Sequence, residues 1–201
     1  MSLYTGKGDD GTTKTFGCDQ RISKSSAIAE ALGALDEVNS FLGVVKVRSK
    51  EAGFKLGEIS FEEIVHGLQE NLFTVQAEVA GADKKIDGGK VIEMENWIAL
   101  IEQELPPIKT FFISGGTELG ASFDFARTLA RRAERRVVAV ADSEKETRLS
   151  AHSQASGNSR STLFPSPNTL KFLNRLSSVL YALARLTNHK SGINESAPSY
   201  N

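Results

Sequence analysis

Cysteine is nearly missing from this chain: Cys18 is the only one among 201 residues. That excludes an internal disulfide and a thiolate metal cluster. Histidine is also sparse, and His66, His152 and His189 lie too far apart in sequence to suggest a zinc site. No apolar run approaches the roughly eighteen residues that a membrane-spanning helix requires. The opening residues, MSLYTGKGDDG, carry no apolar signal core, so a cytoplasmic location and no membrane partner are expected. Positive charge is not in excess either. A formal net charge of -1 argues against a general nucleic-acid or membrane-surface binder. Strand-type patterning is confined to one short β-prone run, Thr110 to Ile113.

Helical periodicity is plentiful. Apolar residues recur at helical spacing in five segments, near Lys24–Arg48, Phe61–Gly81, Val91–Leu105, Leu119–Ala141, and from Pro165 and Pro167 onward. Pro106 and Pro107 end the third segment, because proline cannot continue a helix. With 40% hydrophobic and 24% charged residues the chain can bury one substantial core. The expected fold is an all-α, five-helix antiparallel bundle over residues 1–190. A Ser-rich connection over 143–168 reads as a functional lid or a mobile insertion. Residues 191–201 read as a flexible tail.

Four constellations carry chemistry. Residues Thr5 to Thr13 hold three glycines, Gly6, Gly8 and Gly11, together with Lys7 and two further threonines. Glycine lets backbone N–H groups converge on a polyphosphate, and the hydroxyls and the ammonium add donors. The pattern is not a Walker A motif, and a flexible terminal turn is the alternative reading. Arg127, Arg131 and Arg135 recur every four residues and share one helix face, with Arg132, Glu134 and Arg136 beside them. Stacked like charges call for acidic partners or a bound polyanion; a solvated basic face and a nucleic-acid stripe are the alternatives. Asn174 falls close to the apolar seam of the last segment, where an amide needs a partner. Asp36, one residue from Leu35, reads as a mate for an arginine of another helix or subunit, with an exposed acid as the alternative. Phe111, Phe112 and Ile113 read by composition as core.

Taken in order, these segments resemble the PduO-type ATP:corrinoid adenosyltransferases. The first loop is similar to that family's TGxGDxGxT pattern at Thr5, Gly6, Gly8, Asp9, Gly11 and Thr13. Arg21 and Lys24 resemble its RxxK pair, and Ala31 to Asn39 its AxGxLDELN stretch. Arg127 to Arg136 matches ARTxxRRAERR, and Leu173 to Ser177 matches LNRLS. The likeness spans about residues 4–142 and 168–186.

The resemblance implies a ferritin-like homotrimer that transfers the 5′-deoxyadenosyl group of ATP to cob(I)alamin, with ATP at subunit interfaces. It implies that Thr5, Gly6, Lys7, Gly8, Thr13, Lys14 and Lys24 embrace the triphosphate. Arg131, Arg132, Glu134, Arg135 and Asn174 would complete the ATP site. Arg127 would pair with Asp36 across the interface, and Phe111 would lie below the corrin ring and exclude the lower axial ligand. ATP, Mg²⁺ and cobalamin are the implied small molecules. A flavoprotein reductase and an adenosylcobalamin-dependent enzyme are the implied partners. A non-catalytic ATP or corrinoid delivery protein is the alternative function. Ser114, Asp124 and Ser178 depart from the pattern, where relatives usually carry proline, histidine and aspartate; all three bear on the corrin side or its neighbours.

Overall fold

The computed structural model describes residues 3–15, 20–152 and 164–200. Five helices make up most of it: α1 (Ala27–Ala52), α2 (Phe61–Val79), α3 (Gly88–Glu104), α4 (Glu118–His152) and α5 (Pro167–Lys190). Two two-residue hairpins accompany them. Strand β1 (Thr12–Thr13) pairs antiparallel with β2 (Ile22–Ser23), and β3 (Lys55–Leu56) pairs with β4 (Ile59–Ser60) between α1 and α2. The β-prone run Thr110–Ile113 forms no strand. It is coil: Ile113 N meets one carbonyl, that of Ser196, and a single bond makes no ladder.

Local chemistry sets the helix ends. Ser26, Ser60, Asp87 and Ser166 each accept a backbone N–H of the first turn, and Ser60 with Glu63 completes a reciprocal capping box. Gly53 ends α1 with φ 67°, a left-handed conformation that glycine adopts without steric penalty. Leu105, held extended before Pro106, ends α3. The apolar stripes then do what their spacing predicts: Leu35, Val38 and Leu42 of α1, Ile64, Leu68 and Leu72 of α2, and Leu173, Leu176 and Leu180 of α5 have no exposed surface.

Helix α1 packs against α2 and α4, and α5 against α4 and α3. Polar contacts fix the directions. Along α1, Glu30, Glu37 and Arg48 meet Arg136, Arg132 and Glu118 of α4, so the two helices run antiparallel. Helices α4 and α5 are likewise antiparallel, through Asp124–Arg185 and Glu134–Asn174. Helix α3 differs, because Glu95 and Glu104 meet Arg175 and Lys190 in ascending order. It therefore runs parallel to α5, and the bundle is not antiparallel throughout.

Two further expectations change. Helix α4 continues to His152, well into the segment read as a Ser-rich connection; residues 153–163 of that segment lie outside the described residues. The segment after Ser191 is not free where it is described. Ser196 accepts a hydrogen bond from Ile113 N at 2.9 Å, and Glu195 reaches Arg185 at 3.0 Å. None of the described helices is long and apolar enough to cross a membrane.

The start of α5 is tied to the end of α2 by Glu78, whose side chain is buried with 4% exposure. Its carboxylate accepts from Ser166 N at 2.6 Å and from the Thr169 hydroxyl. Buried donors left without an acceptor carry a desolvation penalty. Glu78→Ala is therefore expected to destabilise the protein by roughly 2–3 kcal/mol, the range for hydrogen bonds to a charged group. Urea titration measures it, and an unchanged midpoint would count against this role.

Candidate functional site

The N-terminal loop is built as a rigid turn. Gly6 and Gly11 adopt φ of 66° and 78°, and backbone bonds run from Asp9 N to Gly6 O and from Gly11 N to Gly8 O, each 3.2 Å. Asp10 Oδ1 accepts from Thr12 N at 2.9 Å and from Thr12 Oγ1 at 2.6 Å. Arg21 closes the turn from β2's side. It donates to Thr12 Oγ1 at 2.5 Å, to Thr12 O at 2.9 Å and to Lys7 O, with Asp10 3.6 Å away. Lys24 Nζ donates to Gly8 O at 2.8 Å, and a Cβ on Gly8 would stand 3.1 Å from that nitrogen. These bonds all stay within residues 6–24. They leave Thr5, Gly6 and Lys7 exposed at the surface, with Thr13 half-buried and Lys14 exposed.

Helix α4 presents the arginines. Its apolar side, Ala126, Ala130, Ala133 and Val137, is fully buried and orients the ladder outward. Arg132 pairs with Glu37 of α1, and Arg136 lies 3.8 Å from Glu30. Arg131 and Arg135 are exposed, and neither has a carboxylate partner among the described residues; Arg135 instead donates to the Arg131 carbonyl at 3.1 Å. Glu134 accepts from Asn174 Nδ2 at 3.1 Å, which places that amide beside the ladder. Asn174 is exposed, one step off the seam where the spacing put it, and its oxygen accepts from Arg175 at 2.7 Å.

Asp36 and Arg127 do not meet within the protomer. Asp36 is exposed and lines an open groove of about 540 Å³ with Leu32, Phe73, Gln76 and Ala77 of α1 and α2. Arg127 lies on α4, where its Nε is 3.6 Å from Asp124 and is buried without a hydrogen-bond partner among the described residues. Phe111 stands clear of the core with 78% of its surface exposed, so the composition-based core reading fails. It sits on the coil between α3 and α4, while Phe112 beside it is half-buried beneath Arg185.

Two residues outside the expected set organise this surface. Arg21 was visible only as part of a spaced pair with Lys24, and nothing in its spacing indicates bonds to the loop carbonyls. Arg185 interrupts the apolar stripe of α5 between Leu183 and Leu186. A charge in that position needs a buried partner, which is the signal that could have found it.

A sequence model of the cobalamin adenosyltransferase family matches residues 3–187. The chain is 33% identical over 196 residues to the corrinoid adenosyltransferase PduO of Citrobacter freundii, covering 94% of this chain and half of that protein's length. It is 33% identical over 204 residues to the corrinoid adenosyltransferase of Bacillus subtilis, covering 97% of this chain and 91% of the relative. It is 31% identical over 199 residues to the human corrinoid adenosyltransferase MMAB, covering 96% and 71%. Among solved structures, a variant PduO-type ATP:corrinoid adenosyltransferase from Lactobacillus reuteri, complexed with cobalamin and ATP, superposes with a TM-score of 0.75 at 25% identity. That match covers 99% of this chain and 97% of the other.

The turn is expected to be sensitive to acid. The Thr12 hydroxyl, then the Thr12 amide, hold the Asp10 carboxyl below its ordinary 3.8, with Arg21 adding to the same shift. A depressed folded-state value stabilises the turn fully above about pH 3.8, and this is lost as pH falls through the lowered value. The Thr12 amide resonance, followed by NMR, should keep its position down to that pH and move below it. Arg21→Ala is expected to speed hydrogen exchange of the Gly11 and Thr12 amides by about tenfold, equivalent to roughly 1.4 kcal/mol of lost protection.

Proposed function

Because the chain belongs to the cobalamin adenosyltransferase family, we propose that it transfers the 5′-deoxyadenosyl group of ATP to cob(I)alamin, releasing triphosphate. The observation that carries the reading is the pair Arg131 and Arg135. Two exposed guanidinium groups stacked on one helix face, with no acidic partner among the described residues, fit a bound polyanion. Together with the rigid Thr5–Thr13 turn they supply the two walls of a triphosphate site.

The chemistry asks little of the protein in the way of reacting groups. Co(I) is the nucleophile: its electron pair forms the bond to C5′ of ATP. The C5′–O bond breaks, and its electrons leave with the triphosphate. The protein holds C5′ in line with cobalt and stabilises negative charge on the departing group. In the proposed site Lys7, the loop amides and the Thr5 and Thr13 hydroxyls face the triphosphate from one side. Arg131 and Arg135 face it from the other, with Lys14 and Lys24 adding positive charge nearby. Arg132, Glu134 and Asn174 fix the nucleotide's orientation. No group of three His, Cys, Asp or Glu capable of holding a metal occurs among the described residues.

The same reading places ATP between subunits of a homotrimer. It is supported by the separation of Asp36 from Arg127 within one protomer, since a second copy can bring the two together. The exposed Phe73 beside Asp36 supplies apolar surface for such a contact. Residues 1–190 serve as one adenosyltransferase domain, and Phe111 faces the corrin ring from below. By excluding the lower axial ligand it leaves four-coordinate cobalt, which is easier to reduce. A flavoprotein reductase would supply the electron, an adenosylcobalamin-dependent enzyme would take the product, and the cytoplasm is the expected setting.

Anaerobic incubation with ATP, Mg²⁺ and chemically reduced cobalamin should give adenosylcobalamin and triphosphate in equal amounts. ATP binding without a Co–C bond would overturn the reading in favour of a delivery protein. Arg131→Ala is expected to lower kcat/KM for ATP by about 10²-fold or more, as loss of a charge-stabilising donor does. Phe111→Ala should leave the ATP KM unchanged and slow turnover of Co(II) substrate under reductant.

A further inference from the structure

The coil that carries Phe111 has no regular secondary structure of its own, yet it is fastened at three points to the end of α5 and the segment beyond it. Asn188 makes the first. Its Oδ1 accepts from Thr117 N at 3.1 Å and from the Thr117 hydroxyl at 2.9 Å, while its Nδ2 donates to Gly115 O at 2.9 Å. Gly116, at φ 93°, lies against it, and a Cβ there would come within 2.8 Å of Asn188 Oδ1. Arg185 makes the second fastening, with its guanidinium 5.7 Å from the centroid of the Phe112 ring and 4.9 Å from that of Tyr181. Ser196 makes the third, accepting from Ile113 N at 2.9 Å.

Glu195 joins all three. Its Oε1 accepts from Asn188 Nδ2 at 2.6 Å and lies 3.0 Å from Arg185 NH1, and its neighbour is Ser196. Arg185 is itself 2% exposed and donates to Asp124 Oδ2 at 2.5 Å. Asp124 is one of the three residues that depart from the pattern of the resemblance, and its other oxygen lies 3.6 Å from Arg127. A buried guanidinium shared between two carboxylates and two rings has little freedom to move without leaving a charge unpaired. We propose that Arg185 and Glu195 are positioning residues for the corrinoid half-site: they lock the Gly115–Thr117 turn and Phe112, and so fix where Phe111 projects. The inference rests on the reading of Phe111 given above.

Glu195→Ala removes the acceptor shared by Asn188 and Arg185, whereas Glu195→Gln keeps a neutral one. For Glu195→Ala we expect the ATP KM to change by less than about twofold and the corrinoid KM to rise about tenfold. Turnover of pre-reduced cob(I)alamin should change little, while turnover of Co(II) substrate with reductant should fall about tenfold. The four-coordinate Co(II) signal seen by electron paramagnetic resonance in the presence of ATP should shrink in parallel. Glu195→Gln should lie between Glu195→Ala and the parent. Hydrogen exchange at Phe112 and Ile113 should accelerate in Glu195→Ala without any cobalamin present.

Unchanged exchange and unchanged corrinoid parameters in an active protein would overturn this inference alone. Equal losses toward ATP and corrinoid, accompanying a lowered Tm, would also overturn it, as they indicate a general packing role. If the parent protein itself forms no adenosylcobalamin, the functional reading fails and this inference fails with it.

Discussion

Arg185 and Asp124 face each other at 2.5 Å in the interior between α4 and α5. Removing either group leaves its buried partner with one fewer opposite charge, Arg185 with Glu195 alone and Asp124 with Arg127 at 3.6 Å, and such a loss is destabilising. This pair sets the register of α4 against α5, and α4 carries the arginine ladder. The same guanidinium reaches Phe112 and Glu195, so the position of the coil between α3 and α4 follows from it. Polar contacts of this kind specify a register more sharply than leucine packing, which tolerates sliding by a turn.

The candidate site consists of two walls with different origins. The N-terminal wall is held by local bonds: a hydroxyl and an amide on Asp10, and one arginine closing the turn. The α4 wall is held by its buried alanine stripe and by acids of α1, which neutralise Arg132 and Arg136. The acids stop there. Arg131 and Arg135 are exposed with no carboxylate partner among the described residues, and Asp36 is exposed in the groove between α1 and α2. A protomer with outward-facing groups of both signs at separate places suits assembly around an anion.

Much of this was legible in the sequence, for physical reasons that differ by element. The helices were visible because apolar residues at helical spacing have one stable outcome, a buried stripe. Their ends were placed less well. Helix α4 outran its apolar pattern through a stretch that includes the strong helix formers Glu144, Lys145, Glu146, Arg148, Leu149 and Ala151, which hydropathy alone does not register. The parallel α3–α5 pair could not be read from hydrophobicity, which is silent on direction; it took Glu95, Glu104, Arg175 and Lys190 in space. Asn174 was placed close to the seam because a stripe has soft edges. Phe111 read as core because hydrophobicity does not distinguish an aromatic that packs from one that is presented. Arg185 and Glu195 lie ten residues apart, with their meaning set entirely by what folds against them.

The pair Arg131 and Arg135, without a carboxylate partner among the described residues, has a consequence for the life of the chain itself. Like charges one turn apart on α4 repel, and the fold carries that repulsion whenever the site is empty. An anion seated there relieves it, and ligand that binds only the folded state stabilises the protein by mass action, about 2.7 kcal/mol at a hundredfold excess over Kd. For a domain of ordinary marginal stability that is a large share of the total. If the proposed site takes ATP, nucleotide supply would then govern how much of this protein stays folded.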